Sequence, residues 1–144
     1  MNKIKSYIFV AHQLVCIIYL AYSGKIIPSD TLLFIVFIAL CIPAVWAILM
    51  MKSSINILPD VRNDAKLLSR GIYKYIRHPM YFSVLSVCLL WLIDTFTFVR
   101  LIFWIVLLID MILKMNFEEE KLTEAFDNYE DYRSRTSRLI PYIY

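Results

Sequence analysis

The 144 residues are 60% hydrophobic, with a mean hydropathy of +0.65. That is too apolar for a water-soluble domain of this size and reads as one integral membrane domain, residues 1–144. Gly24 and Gly71 are the only glycines, so neither a G-x-G-x-x-G turn nor a Walker loop can be written, which excludes Rossmann and P-loop nucleotide chemistry. The net charge of +3 is modest and points to no nucleic-acid partner; the placement of the charges is more informative.

Lys3 and Lys5 precede an apolar run from Tyr7 to Tyr22. It fits either a first spanning helix or a signal-peptide core, with Ala21-Tyr22-Ser23 resembling a cleavage site. His12 and Gln13 are foreign to a signal core, and the later helices need a first partner, so a retained helix is expected. Gly24 to Asp30 forms a turn, and Thr31 to Met51 supplies the roughly 20 apolar residues needed to cross about 30 Å of hydrocarbon. Pro43 should kink that span unless a neighbouring helix satisfies the freed carbonyl.

From Lys52 to His78 basic residues dominate, as expected of a cytoplasmic loop able to touch anionic lipid. A helix starting at His78 or Pro79 follows, since Pro is favoured in a first turn, leaving the N–H groups of Met80, Tyr81 and Phe82 open. With Arg77 and His78 beside it, this helix start is a seat for a carboxylate or phosphate. The span Pro79 to Ile93 covers only about 22 Å, which places the Arg77-His78 cluster at the membrane interface. Asp94 and Thr95 make an outer turn. A fourth span runs from about Phe96 to Met115, and a polar helical segment continues from Glu118 to Arg135. With the N-terminus inside, only Lys25 and Arg100 of the 15 basic residues fall outside. The expected fold is therefore all-α: about four transmembrane helices, both termini cytoplasmic, and a cytoplasmic C-terminal helical segment.

Asp110, Lys114 and Glu118 recur every four residues and share one stripe of the fourth helix. They read either as interfacial salt bridges with a snorkelling lysine or as a functional site at membrane depth. His12 and Gln13 read as hydrogen-bonding glue between helices, and Glu118, Glu119 and Glu120 as a solvated face. Cys16, Cys41 and Cys88 lie in apolar runs as packing residues. Neither they nor the two histidines have the spacing of metal ligands.

The order Gly71-x-Tyr73-x-Tyr75-x-Arg77-His78-Pro79-x-Tyr81, an apolar hairpin, Glu118-Glu119-x-x-Leu122, Tyr129-x-x-Tyr132 and Arg138-x-x-Pro141 resembles the isoprenylcysteine carboxyl methyltransferase family and its phospholipid methyltransferase relatives. The resemblance covers residues 65–144. It implies an S-adenosylmethionine site facing the cytoplasm, made by Ala65, Lys66, Leu67, Leu68, Tyr73, His78, Pro79, Met80, Tyr81 and Glu118. It also implies methyl transfer to a lipophilic acceptor carrying a carboxylate, thiol or amine, with Lys114 and Arg77 as the catalytic residues. Two departures bear on the acceptor: Lys114 stands where the family has an arginine, keeping the charge but losing the bidentate fork, and Phe126-Asp127 stands where it tends to have Phe-Gly. A small four-helix transporter using His12 or Asp110, and an NADPH-dependent reductase of the sterol-reductase type, are the competing readings.

Overall fold

The computed structural model describes residues 2–51, 67–141 and 143–144. Its elements are α1 (Asn2–Tyr22), α2 (Thr31–Met51), a 3-10 turn (Gly71–Lys74), α3 (Pro79–Asp94), α4 (Phe98–Ala125) and α5 (Tyr129–Ser134), with no strand among the described residues. Most of the basic loop expected between α2 and the Gly71 turn, residues 52–66, lies outside the described residues, and with it Ala65 and Lys66.

Local chemistry starts α2, α3 and α4. Asp30 Oδ1 accepts the Leu33 N–H at 3.0 Å ahead of α2, and Thr97 Oγ1 accepts the Arg100 N–H at 3.2 Å at the head of α4, each satisfying a donor the first turn leaves open. Pro79 occupies the first position of α3. Because the His78 carbonyl accepts the Phe82 N–H at 3.1 Å, the open donors there reduce from the expected three to those of Met80 and Tyr81. Pro43 lies inside α2, and the adjacent Ala44 N–H donates to Ser83 Oγ of α3 at 3.0 Å. A neighbouring helix thus takes up an N–H beside Pro43, which is a different group from the carbonyl that the proline frees.

Helix α1 packs along α4 and α2 along α3, with α3 also touching α4 and α1. The core joins Cys16 and Leu20 of α1, Leu85, Cys88 and Trp91 of α3, and Leu107, Met111 and Met115 of α4. Cys16 and Cys88 are buried free thiols, in keeping with a packing role. One end of the bundle is closed by Arg100, which was expected as an outside charge. Its side chain is buried, donating to Ser23 Oγ and, at 2.7 Å, to the Trp91 carbonyl. A Cβ on Gly24 would stand 2.8 Å from its Nη1, so glycine is what lets the guanidinium in.

Large apolar side chains remain exposed on all four long helices, among them Leu14 and Ile18, Ile35 and Ile42, Leu89 and Ile93, and Ile102 and Ile109. An apolar surface of that extent suits lipid rather than water. By length and composition α2 alone of the described helices can cross a bilayer, α1 and α3 carrying shorter apolar stretches. Helix α4 runs ten residues past the expected end of its apolar span. At 1.5 Å per residue its 28 residues reach about 42 Å, so its last turns project from the bundle. There the chain turns extended at Phe126 before resuming as α5, which divides the single polar helix expected from Glu118 to Arg135.

Candidate functional site

Three segments meet at the end of the bundle opposite Arg100. Ser137 N donates to the Tyr75 carbonyl at 3.0 Å, Arg77 N to the Ser137 carbonyl at 2.9 Å and His78 N to the Arg138 carbonyl at 3.0 Å. This short parallel bridge clips the segment after α5 onto the loop leading into α3. Tyr132 reinforces it, its hydroxyl donating to the Tyr73 carbonyl at 2.8 Å. Gly71 begins the turn that carries Tyr73. Its φ of +62° lies in the left-handed region and a Cβ there would meet Met50 at 2.9 Å, so two constraints select glycine.

The last turns of α4 stand against this loop, and His78 is fitted between two consecutive glutamates. Its Nε2 lies 3.1 Å from Glu119 Oε1 and its Nδ1 3.7 Å from Glu118 Oε2. Successive residues on a helix point about 100° apart, so the two carboxylates serve different neighbours. Glu118 turns toward α3, where Tyr81 Oη donates to its Oε1 at 2.5 Å. The Tyr81 ring in turn stacks on His78, centroids 5.3 Å apart and planes within 3°.

Glu119 turns toward the loop and the C-terminal segment. It is buried and takes hydrogen bonds from Arg77 Nε at 2.9 Å, Arg138 Nη2 at 2.8 Å and Arg138 Nε at 3.2 Å. Burial alone would raise its pKa, but the hydrogen bonds from His78, Arg138 and Arg77 outweigh it and hold the carboxyl well below the usual range. Burial would lower the pKa of Arg138, and its bonds to Glu119 and Tyr144 reverse that into a rise. Tyr73, pushed up to about 12 by burial and by the charge of Glu118, is a neutral phenol at physiological pH.

One and two turns deeper on α4 lie Lys114 and Asp110, both buried. Lys114 Nζ donates to Gln13 Oε1 of α1 at 3.2 Å and stands 5.2 Å from the Tyr81 ring centroid. Asp110 Oδ1 is 3.6 Å from His12 Nδ1. Gln13 is therefore the glue between helices that its position suggests, and the stripe faces the bundle interior.

The structure brings Tyr73, His78, Pro79, Met80, Tyr81, Lys114 and Glu118 to one end of the bundle. Leu67 and Leu68 are half-buried in the irregular stretch before the Gly71 turn. Arg77 departs from the place expected of it. Rather than joining Lys114, its guanidinium binds Glu119, the Arg133 carbonyl at 3.1 Å, and the carbonyl and hydroxyl of Thr136, so it fastens the C-terminal segment. Glu119 was missed by the sequence reading, which gave it to solvent. The available signal was the doubled glutamate: on a helix packed against two segments, adjacent carboxylates cannot both face water.

The fold and site together define an apolar helical bundle with an ion-paired polar site at one end, built without a sheet among the described residues and without a glycine-rich loop. The model of the isoprenylcysteine carboxyl methyltransferase (ICMT) family matches residues 32–124, which include α2, the Gly71 turn, α3 and most of α4, and the chain belongs to that family. Helix α1 and the segment from Ala125 onward lie outside the match. A methanethiol S-methyltransferase from Crocosphaera subtropica is 32% identical over 79 residues, covering 54% of this chain. The match takes in 30% of that relative's length, so the chain spans under a third of it.

Proposed function

We propose that the protein is an S-adenosylmethionine-dependent, multi-pass membrane methyltransferase whose site faces the cytoplasm, acting on a lipophilic acceptor that ends in a carboxylate or thiol. The observation that carries this is the cradle of Tyr81, Glu118 and His78 at the open start of α3. The residues fit the cofactor. The N–H groups of Met80 and Tyr81, open among the described residues, suit its carboxylate. Glu118 Oε2 lies beyond hydrogen-bond distance from His78 Nδ1 and can accept from a hydroxyl or amino group. The Tyr81 ring, which already faces the Lys114 ammonium, is an aromatic surface that attracts positive charge, and a sulfonium carries one.

Bound there, S-adenosylmethionine supplies a methyl group activated by a positively charged sulfur. What the chain must do is position the acceptor and exclude water. Lys114 holds negative charge at the reacting end of the acceptor, Tyr73 remains neutral nearby, and Glu119 with Arg77 and Arg138 keeps His78 in register without touching the reacting atoms. A lipophilic acceptor enters sideways from the bilayer, while the cofactor enters from the aqueous face.

Binding of S-adenosylhomocysteine to the purified protein, measured by calorimetry with NADPH as the competing ligand, tests this reading. Saturable binding of the first and none of the second is expected; the reverse would make the protein a reductase, and binding of neither would remove the enzyme reading.

A further inference from the structure

On the side of α4 that Glu119 faces, α5 and the segment after it form, with Arg77, an open cavity of about 590 Å³, within the size range of small-molecule sites. Arg77, Arg133 and Arg138 line it together with two carboxylates, Glu119 and Glu130. The positive charge there is incompletely met. Arg77 and Arg138 share the one carboxylate of Glu119, at 2.9 and 2.8 Å. Glu130 is 63% exposed and reaches Arg133 at 3.4 Å, three residues along the same helix, a pairing that contributes little in water. Three guanidiniums against two carboxylates leave one net positive charge in the cavity. Donors are open as well. Arg77 engages Glu119 through Nε and the Arg133 carbonyl and Thr136 through Nη1, and Arg133 engages Glu130 through Nη1; among the described residues neither Nη2 has a hydrogen-bond partner. Guanidinium forks match the several oxygens of a phosphate. The rim indicates what that phosphate is attached to. Ile143 and Tyr144 line the same cavity and are 79% and 49% exposed, so the cationic cavity has an apolar lip. The bundle that carries it presents apolar side chains on all four long helices, a surface suited to lipid.

We propose that this cavity binds the headgroup phosphate of an anionic phospholipid, with the open donors of Arg77 and Arg133 on the phosphate oxygens and Ile143 and Tyr144 against the glycerol and the upper acyl chain. Basic pockets at the aqueous end of membrane helices suit such headgroups. A zwitterionic headgroup brings a cation of its own to an already positive cavity and is disfavoured. The cavity shares no lining residue with the cradle of Tyr81, Glu118 and His78, and no group is transferred in it. Its role is to brace: Arg77 already joins the loop before α3 to the segment after α5, and a phosphate held by Arg77 and Arg133 ties that clip to the membrane surface.

The test uses the full chain in detergent, with dioctanoyl phosphatidylglycerol as the anionic lipid, dioctanoyl phosphatidylcholine as the zwitterionic one and inorganic phosphate as the soluble anion. Each is titrated against the thermal unfolding midpoint, which a ligand of the folded state raises. Phosphatidylglycerol should bind saturably and more tightly than phosphatidylcholine. Arg133→Gln should lose about tenfold in phosphatidylglycerol affinity, the usual effect of removing one charge-assisted hydrogen bond, while keeping its affinity for S-adenosylhomocysteine. Ile143→Ser should weaken the lipid and leave the response to inorganic phosphate unchanged. Equal binding of the two lipids, or an Arg133→Gln variant with undiminished phosphatidylglycerol affinity, overturns the inference. So does inorganic phosphate binding as tightly as the lipid with no effect of Ile143→Ser, which makes the cavity a site for a soluble anion. A parallel loss of S-adenosylhomocysteine affinity in Arg133→Gln overturns it too, by making the cavity part of the cofactor site. If Arg133→Gln does not fold, the wild-type preference between the lipids and Ile143→Ser decide: no preference, or no weakening, overturns it. Absence of S-adenosylhomocysteine binding in wild type removes the methyltransferase reading alone, and the lipid titrations still decide this one.

Discussion

Glu119 is the residue on which the site's geometry turns, because one buried carboxylate satisfies Arg77, Arg138 and His78 together. Glu119→Ala would leave those groups without their counter-charge and should cost about 3–5 kcal/mol of stability, the usual result of removing one partner of a buried pair, read as a lowered thermal unfolding midpoint. The pH dependence has a definite sign. The folded pKa of Glu119 is depressed, so its stabilisation is complete above the unfolded carboxyl value of about 4.3 and is lost as pH falls below that. Glu119→Gln should flatten this acid limb, and unfolding midpoints from pH 7 down to 3 check it. His78 touches Tyr81 and both glutamates, whereas His12 is largely exposed and two turns of α4 away at Asp110. His78→Ala should therefore weaken S-adenosylhomocysteine binding about tenfold, equivalent to roughly 1.4 kcal/mol, and His12→Ala should leave it unchanged; calorimetry on the pair reads the contrast.

At the scale of elements, the join between α2 and the loop before α3 is where backbone constraints concentrate. Ile72 and Ile76 pack on Ala47, a fully buried small residue of α2, and Gly71 permits the approach. Gly71→Ala should cost about 1–3 kcal/mol from the left-handed backbone alone, plus whatever Met50 must give. Since Tyr73 follows two residues later, the same variant should lose cofactor affinity. A drop in stability with unchanged affinity would show that the turn does not set the position of Tyr73. The bond between Ala44 and Ser83 is a second joint of this kind. Ser83→Ala leaves a half-buried N–H beside the Pro43 break without its partner and should cost about 1 kcal/mol, measurable by denaturant titration in detergent.

For the whole molecule, the two short turns gathered by Arg100 at one end and the loop, α5 and C-terminal segment at the other give two chemically different poles. The polar pole holds the candidate site. If the protein is multi-pass as proposed, Lys74 and Lys25, both exposed, lie on opposite sides of the bilayer. In sealed inverted vesicles, Lys74→Cys should react with a membrane-impermeant maleimide and Lys25→Cys should not. Labelling of both from one side would overturn the proposed multi-pass topology.

Some of this was legible without coordinates. The bounds of α2 at Thr31 and Met51 and the start of α3 at Pro79 coincide with the sequence reading, because a continuous apolar run and a proline's fixed φ act within a few residues. The partition of the charges was not legible. That Glu118 serves Tyr81 while Glu119 binds Arg77 and Arg138, that Arg100 is buried, and that Gln13 meets Lys114 across 101 positions of sequence depend on which side chains the packed helices bring within hydrogen-bond distance. Helix location is a local property of the chain; the partner of a buried charge is a property of its tertiary neighbours, and only the tertiary structure could decide it.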